Sequence, residues 1–431
     1  MKTKWFFRIV LLALSSILLF SACAPSKGPE AAKESKPAAK SGDLMVDVKA
    51  VSWPAPEKTD ENFKASLQDF SLSIFRESAL NKGNIMVSPV SVFLALGMAL
   101  NGADGQTRQG MIDALKAKGL SVDALNAACR NLIALESVRS GKTELSIANS
   151  IWYRDSYIPD KVFLQKNADF FNAAVQARDF SDPGTLAAVN DWVNKATKST
   201  IEKILDQIDS DVMMYLINAV YFKAVWQKPF DGADTVESHF KAPGGDVRVK
   251  FMHSNNNTEY IDQNGVKGVV IPYDDGKFSF FAVLPKEGQD VRDFISSLDS
   301  KTVDSLISSI KNGNVELALP KFKTRYEDSL KNELDKLGMG IAFDASNADF
   351  SLMNAERKKD LFISEIKHKT FCNVDELGTE AAAVTSIEMR LTAMQEPEGV
   401  AISFDRPFVY GIVDTVSGAP LFIGIMEDPS K

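Results

Sequence analysis

Side chains able to do covalent or acid–base chemistry are sparse in this chain. It holds three histidines, His239, His253 and His368, and no two share the spacing that holds a metal ion. There is no Gly-x-Ser-x-Gly turn to present a serine nucleophile. There is no Cys-x-x-Cys pair and no glycine loop fit to cradle phosphate. These gaps argue against an enzyme, and His239 and His253 read as surface residues. The most informative stretch is instead a run of small residues. Residues Asp375 to Thr385 read Asp-Glu-Leu-Gly-Thr-Glu-Ala-Ala-Ala-Val-Thr. Gly378 relaxes the backbone, and Ala381, Ala382 and Ala383 bring neither bulk nor β-branching. At period two, Thr379, Ala381, Ala383, Thr385, Ile387 and Met389 fall on one face. Glu380, Ala382, Val384, Ser386 and Glu388 fall on the other, so both acids share the second face. A strand with a small-to-apolar inner side fits this pattern. So does a surface loop or a short amphipathic helix, because Glu and Ala also favour helix.

The elements around this segment read as a mixture of helices and strands. Apolar residues at helical spacing run from Glu61 to Leu80. Ser88-Pro89 opens a second helix, with serine as cap and proline in the first turn. Further helices are expected over Gln106–Lys118, Val122–Val138 and Thr185–Thr200. Glu144–Tyr153 alternates as a strand, Val212–Phe222 is a continuous apolar run typical of a fully buried strand, and Phe362–Val374 is strand-like. Lys250–Leu284 holds several strands broken by Asn-rich and Asp-Gly turns. Helices precede strands without regular alternation, which favours α+β over a doubly wound sheet. No linker divides residues 60–428, so one large domain is expected.

Composition narrows the function. The chain has 431 residues, 45% of them hydrophobic, enough for a large core. A net charge of −8 gives no footprint for nucleic acid. Lys2, Lys4 and Arg8 precede a short apolar run from Ile9 to Phe20, followed by Ser21-Ala22-Cys23. This reads as a secretory signal, and it resembles a bacterial lipobox in which Cys23 is acylated. Phe20 stands where that pattern has Leu. The division expected is a lipoprotein signal peptide over 1–22, a lipid-anchored flexible tether over 23–55 and a single domain over 56–431. Cys129 and Cys372 make no disulfide framework and read as small buried hydrophobes.

Several motifs occur in a telling order. Asn84-Ile-Met-Val-Ser88-Pro89-Val-Ser91 leads into an apolar helix and Asn101-Gly102-Ala103. Asn218 precedes Tyr221-Phe222-Lys223, Trp226 and Pro229-Phe230. Leu319-Pro320-Lys321-Phe322, then Ala348-Asp349-Phe350-Ser351, then His368-Lys369-Thr370 lead to the hinge-like run. Phe404-Asp-Arg-Pro407-Phe408 and Pro420-Leu421-Phe422-Ile-Gly424 close the chain. Over residues 59–429 this order resembles the serpins, the serine protease inhibitor superfamily.

The resemblance implies an α+β serpin fold. It has a large mixed central sheet, smaller sheets, about eight or nine helices and an exposed reactive-centre loop. It implies that Ser88, Ser91, Asn218 and His368 meet where two strands of the main sheet part, and that Trp226 lies at that sheet's top. It implies a hinge comprising Glu376, Gly378, Thr379, Glu380, Ala381, Ala382, Ala383, Val384 and Thr385. The scissile bond lies sixteen residues past the hinge glutamate in the family, giving Thr392–Ala393, with Arg390, Leu391 and Met389 as alternative specificity residues. The mechanism implied is suicide inhibition of serine proteases: the cleaved loop enters the central sheet and the acyl-enzyme is trapped. Elastase- or subtilisin-like targets suit Thr392. Inhibition of papain-like cysteine proteases and a non-inhibitory binding role are the alternatives. Ala224, where the family usually has Gly, and Val384, where it usually has a smaller residue, depart mildly from the pattern. Beyond target proteases and a membrane reached through lipid on Cys23, neither cofactor, metal nor nucleic acid is expected, and the protein is expected to be a monomer in the cell envelope or secreted.

Overall fold

The continuous apolar run near residue 212 becomes β5 (Met214–Val225), the centre of a seven-stranded sheet. A computed structural model describes residues 41–137, 142–209, 211–379 and 399–431. In this sheet β5 lies between β3 (Glu144–Arg154) and, on its other side, β12 (Glu365–Val374) together with β13 (Gly378–Thr379). The edges are β4 (Ala174–Arg178), itself flanked by β1 (Gly42–Asp43), and β11 (Phe322–Ser329). Every β5 residue from Met214 to Phe222 is buried, which is why the strand reads as an unbroken run and not as an alternation.

The second sheet has nine strands: β2 (Ile85–Val87), β6 (Val236–Ala242), β7 (Gly245–Gln263), β8 (Val266–Pro272), β9 (Phe278–Leu284), β10 (Lys311–Pro320), β14 (Val400–Ser403), β15 (Phe408–Asp414) and β16 (Pro420–Met426). The smaller sheets expected from the sequence run together here through the 19-residue β7, which pairs with β6, β8 and β10.

The helices include α1 (Glu61–Ser78), α2 (Pro89–Leu100), α3 (Gly105–Ala114), α4 (Val122–Ser137), α5 (Lys161–Phe171) and α6 (Pro183–Ala196). Helix α2 is buried at every position, as expected of a helix apolar all round. It packs on β3, β5 and β16, between the two sheets. Ser88 stands at its N-cap, but the hydroxyl makes no capping bond. Helix α6 covers the other face of the main sheet. There Val189 and Val193 join Trp152, Tyr215, Ile217 and Ala219 in a second apolar cluster. Side chains of β5 therefore alternate between two cores: Met214, Leu216, Val220, Phe222 and Ala224 face the main one.

Cys129 and Cys372 are both buried, as expected. His239 is exposed, whereas His253 is half-buried, not a surface residue as expected. Gly42–Asp43, within the stretch expected to be tether, pairs antiparallel with β4, and Leu44 is buried. The body's contacts thus begin upstream of residue 56.

Candidate functional site

A row of polar side chains crosses the middle of the main sheet. Asn149 on β3, Asn218 on β5 and His368 on β12 are register partners, so their side chains share one face. Asn218 Nδ2 donates to Asn149 Oδ1 at 2.6 Å and also to Ser91 Oγ on α2. Asn149 Nδ2 donates to the Ser91 carbonyl at 3.2 Å. The backbone N–H of Ser88 donates to His368 Nε2 at 3.1 Å. That bond needs a lone pair on Nε2, so the ring proton sits on Nδ1 and is donated to Asn218 Oδ1. Ser88, Ser91, Asn218 and His368 are all fully buried, and burial lowers the His368 pKa from 6.5 to about 3. The imidazole is therefore neutral, as this tautomer requires. Ser88 joins the network through its backbone, while its hydroxyl has no hydrogen-bond partner among the described residues.

Above this row the sheet opens. The parallel pairing of β5 with β12 runs from Tyr215–Glu365 to Val220–Thr370. Higher up, β13 lies between them: Gly378 faces Val225 and Thr379 faces Ala224, while Thr379 also pairs with Val374. The chain reverses from β12 into β13 by a tight turn in which Asp375 and Gly378 exchange backbone hydrogen bonds of 3.0 and 3.3 Å. Only glycine fits at 378: φ is +155°, and a Cβ would lie 2.0 Å from the Ala224 carbonyl oxygen.

The turn is held at several points. Trp226 is buried, its indole Nε1 donates to the Asp375 carbonyl at 2.8 Å, and its backbone N–H donates to the Leu377 carbonyl at 2.9 Å. The Glu376 carboxylate accepts from Lys321 Nζ at 2.6 Å and from Thr235 Oγ1 at 2.9 Å. Partial burial would raise the Glu376 pKa, but the Lys321 hydrogen bond, a backbone hydrogen bond, the Thr235 hydroxyl and the Lys321 charge together outweigh it and lower the pKa from 4.5.

A family profile described as Serpin (serine protease inhibitor) matches residues 65–429. The chain belongs to the serpin family. It is 31% identical over 369 residues to an uncharacterized serpin-like protein of Thermococcus kodakarensis, spanning 84% of this chain and 85% of that one. It is 30% identical over 378 residues to leukocyte elastase inhibitor A of Mus musculus, spanning 84% of this chain and 97% of the relative. Among solved structures, the native state of the thermophilic serpin tengpin matches with a TM-score of 0.84 at 37% identity, covering 90% of this chain and 100% of that one. Membership supports a protease-inhibitor role, with target proteases as partners in general.

Within this serpin the sequence expectation grouped Ser88, Ser91, Asn218 and His368 at one place, put Trp226 at the top of the sheet and named Glu376, Gly378 and Thr379 separately as hinge; the structure brings Trp226 onto that hinge turn. The sequence reading expected an exposed reactive-centre loop without saying where exposure begins; Gly378 and Thr379 are buried strand residues. It did not single out Asn149, Thr235 or Tyr273, and it quoted Lys321 only within a motif, with no role. Asn149 carried a readable signal, a polar residue on the face of β3 that otherwise bears Leu145, Ile147, Ile151 and Tyr153. The rest of the hinge (Glu380, Ala381, Ala382, Ala383, Val384, Thr385), the reactive bond Thr392–Ala393, the alternatives Met389, Arg390 and Leu391, and Cys23 lie outside the described residues.

Proposed function

We propose that this serpin is a suicide-substrate inhibitor of serine proteases, preferring elastase- or subtilisin-like enzymes. A target serine attacks the Thr392 carbonyl and releases the Ala393 amine, leaving an acyl-enzyme. The freed loop then continues β13 downward between β5 and β12 and carries the protease away before water reaches the ester. The observation that supports this reading is the start of that strand between the parted strands. Extending both ladders residue by residue puts 381, 383 and 385 opposite Phe222, Val220 and Asn218, toward the main core. The period-two face Thr379, Ala381, Ala383, Thr385 is thus the inward one, and it carries neither proline nor charge. Residue 385 would arrive between Asn218 and His368 and substitute a threonine hydroxyl for their mutual bond, so parting the strands leaves no orphaned polar group.

About a dozen new backbone hydrogen bonds at roughly 1 kcal/mol each give on the order of 10 kcal/mol, comparable with the whole stability of an ordinary domain. Export with lipid attachment at Cys23 to a bacterial envelope belongs to the same proposal, supported by the amino-terminal pattern. Mixing the protein with elastase-, subtilisin-, trypsin- and papain-like enzymes tests the central claim. A complex that survives boiling detergent, with a released peptide beginning at Ala393, is the expected result. Trapping of the papain-like enzyme alone would move the target class to cysteine proteases. Cleavage without any complex would leave a non-inhibitory binding module.

A further inference from the structure

We propose that Tyr273 is a positioning residue for loop insertion: its hydroxyl holds Thr379 in the sheet of the uncleaved protein and so fixes the register in which the rest of the loop zips. This rests on the inhibitory reading above. Tyr273 follows β8 in sequence and comes from the second sheet, not from the strands that part. It is fully buried, and its hydroxyl lies 2.6 Å from Thr379 Oγ1, also buried. The ring has little freedom to follow a moving hinge. It stacks on Trp226 at 4.7 Å with 9° between planes, meets Phe222 edge-on at 5.2 Å, and is bridged to Trp226 through the backbone.

A fixed receptor matters because strand register has period two. A slip of one residue would turn Glu380 and its companions toward the main core and Thr379 outward. Backbone pairing of a two-residue strand discriminates weakly between registers, since every residue offers the same N–H and C=O. The Tyr273–Thr379 bond discriminates strongly, because only the observed register brings a hydroxyl to the buried phenol, and a buried phenol left without a partner is disfavoured. Tyr273 thereby links the second sheet to Thr379, the last paired residue of the strand that grows.

The test compares Tyr273→Phe, Thr379→Val, Thr379→Ser and the Tyr273→Phe/Thr379→Val double variant with the wild-type chain against the protease that the wild type traps best. Two quantities are read: the association rate and the number of inhibitor molecules consumed per protease trapped. Expected for Tyr273→Phe and Thr379→Val is an unchanged association rate with productive insertion slowed about fivefold, as for loss of one net hydrogen bond, so that more inhibitor is consumed as substrate. Thr379→Ser should restore wild-type behaviour, and the double variant should match either single one. A purely structural role for Tyr273 would lower the melting temperature without this split. Should Tyr273→Phe fold poorly, the Val and Ser variants at Thr379, which leave the aromatic cluster intact, decide the matter alone. Unchanged consumption in Thr379→Val, or fully additive losses in the double variant, would overturn the proposal. Absence of any wild-type complex would instead overturn the inhibitory reading, and the inference with it.

Discussion

Replacing Gly378 by alanine places a methyl group where the hinge touches the sheet. The new Cβ would lie 2.0 Å from the Ala224 carbonyl oxygen and 2.7 Å from the Val225 Cα, against about 3.5 Å for ordinary contact. Both obstacles are backbone atoms of a central strand and cannot swing aside, so the hinge must retreat. Retreat breaks the pairing of Gly378 and Thr379 with Val225 and Ala224 and strains the Trp226-to-Leu377 bond. Roughly three hydrogen bonds at about 1 kcal/mol each put about 3 kcal/mol on a hairpin that insertion must also pass through. On a barrier, that slows insertion about 100-fold, while attack on Thr392, fourteen residues further on, is untouched. Gly378→Ala should therefore be cleaved at the wild-type rate and trap little protease. Titration against an active-site-counted protease, with gel separation of complex from cleaved product, reads the partition. Wild-type partition in this variant would refute the argument that the hinge occupies the sheet in the geometry described.

Ala381→Pro should likewise convert inhibitor to substrate, because proline removes a ladder donor from a strand buried in the middle of a sheet; electrophoresis after mixing with protease reads it, and full trapping would contradict it. Stability should fall in mild acid through His368. Its folded pKa, about 3, lies below the unfolded value near 6.5, so the unfolded chain takes up the proton first and each pH unit below 6.5 costs about 1.4 kcal/mol. Melting curves between pH 7.5 and 5 should show a gentler decline for His368→Gln than for the wild type. The Glu376 clamp has the same linkage sense, with a folded pKa below its unfolded value, but it acts in a more acid range. Its contribution is complete at neutral pH, disappears as pH falls through the acid range below 4.5, and should be missing from Glu376→Gln at every pH. Trp226 emission, sensitive to the turn that its indole holds, is the readout.

Which parts of this arrangement the sequence announced follows from where the information lies. The alternation from Thr379 onward, the buried run that became β5 and the wholly apolar α2 are local patterns, and each states which faces are covered. The boundary of β5 lay three residues beyond the apolar run because Lys223 and Val225 are half-buried at the end of the sheet. The polar row was legible in part. Ser88, Ser91, Asn218 and His368 sit in motifs, while Asn149 joins them only through a register between β3 and β5 that no local pattern sets. Tyr273 was out of reach for the same reason: 106 residues separate it from Thr379, and a tyrosine after a proline says nothing about its partner. The insertion of Gly378 and Thr379 into the sheet was equally unannounced, since a pattern that fits a strand does not say whether the strand is already paired.

Heating the intact and loop-cleaved proteins side by side tests the central claim most directly. If cleavage releases a strand that the sheet is waiting for, the cleaved form gains on the order of 10 kcal/mol and melts roughly 10 °C or more above the intact one. Coincident melting of the two forms would contradict the account.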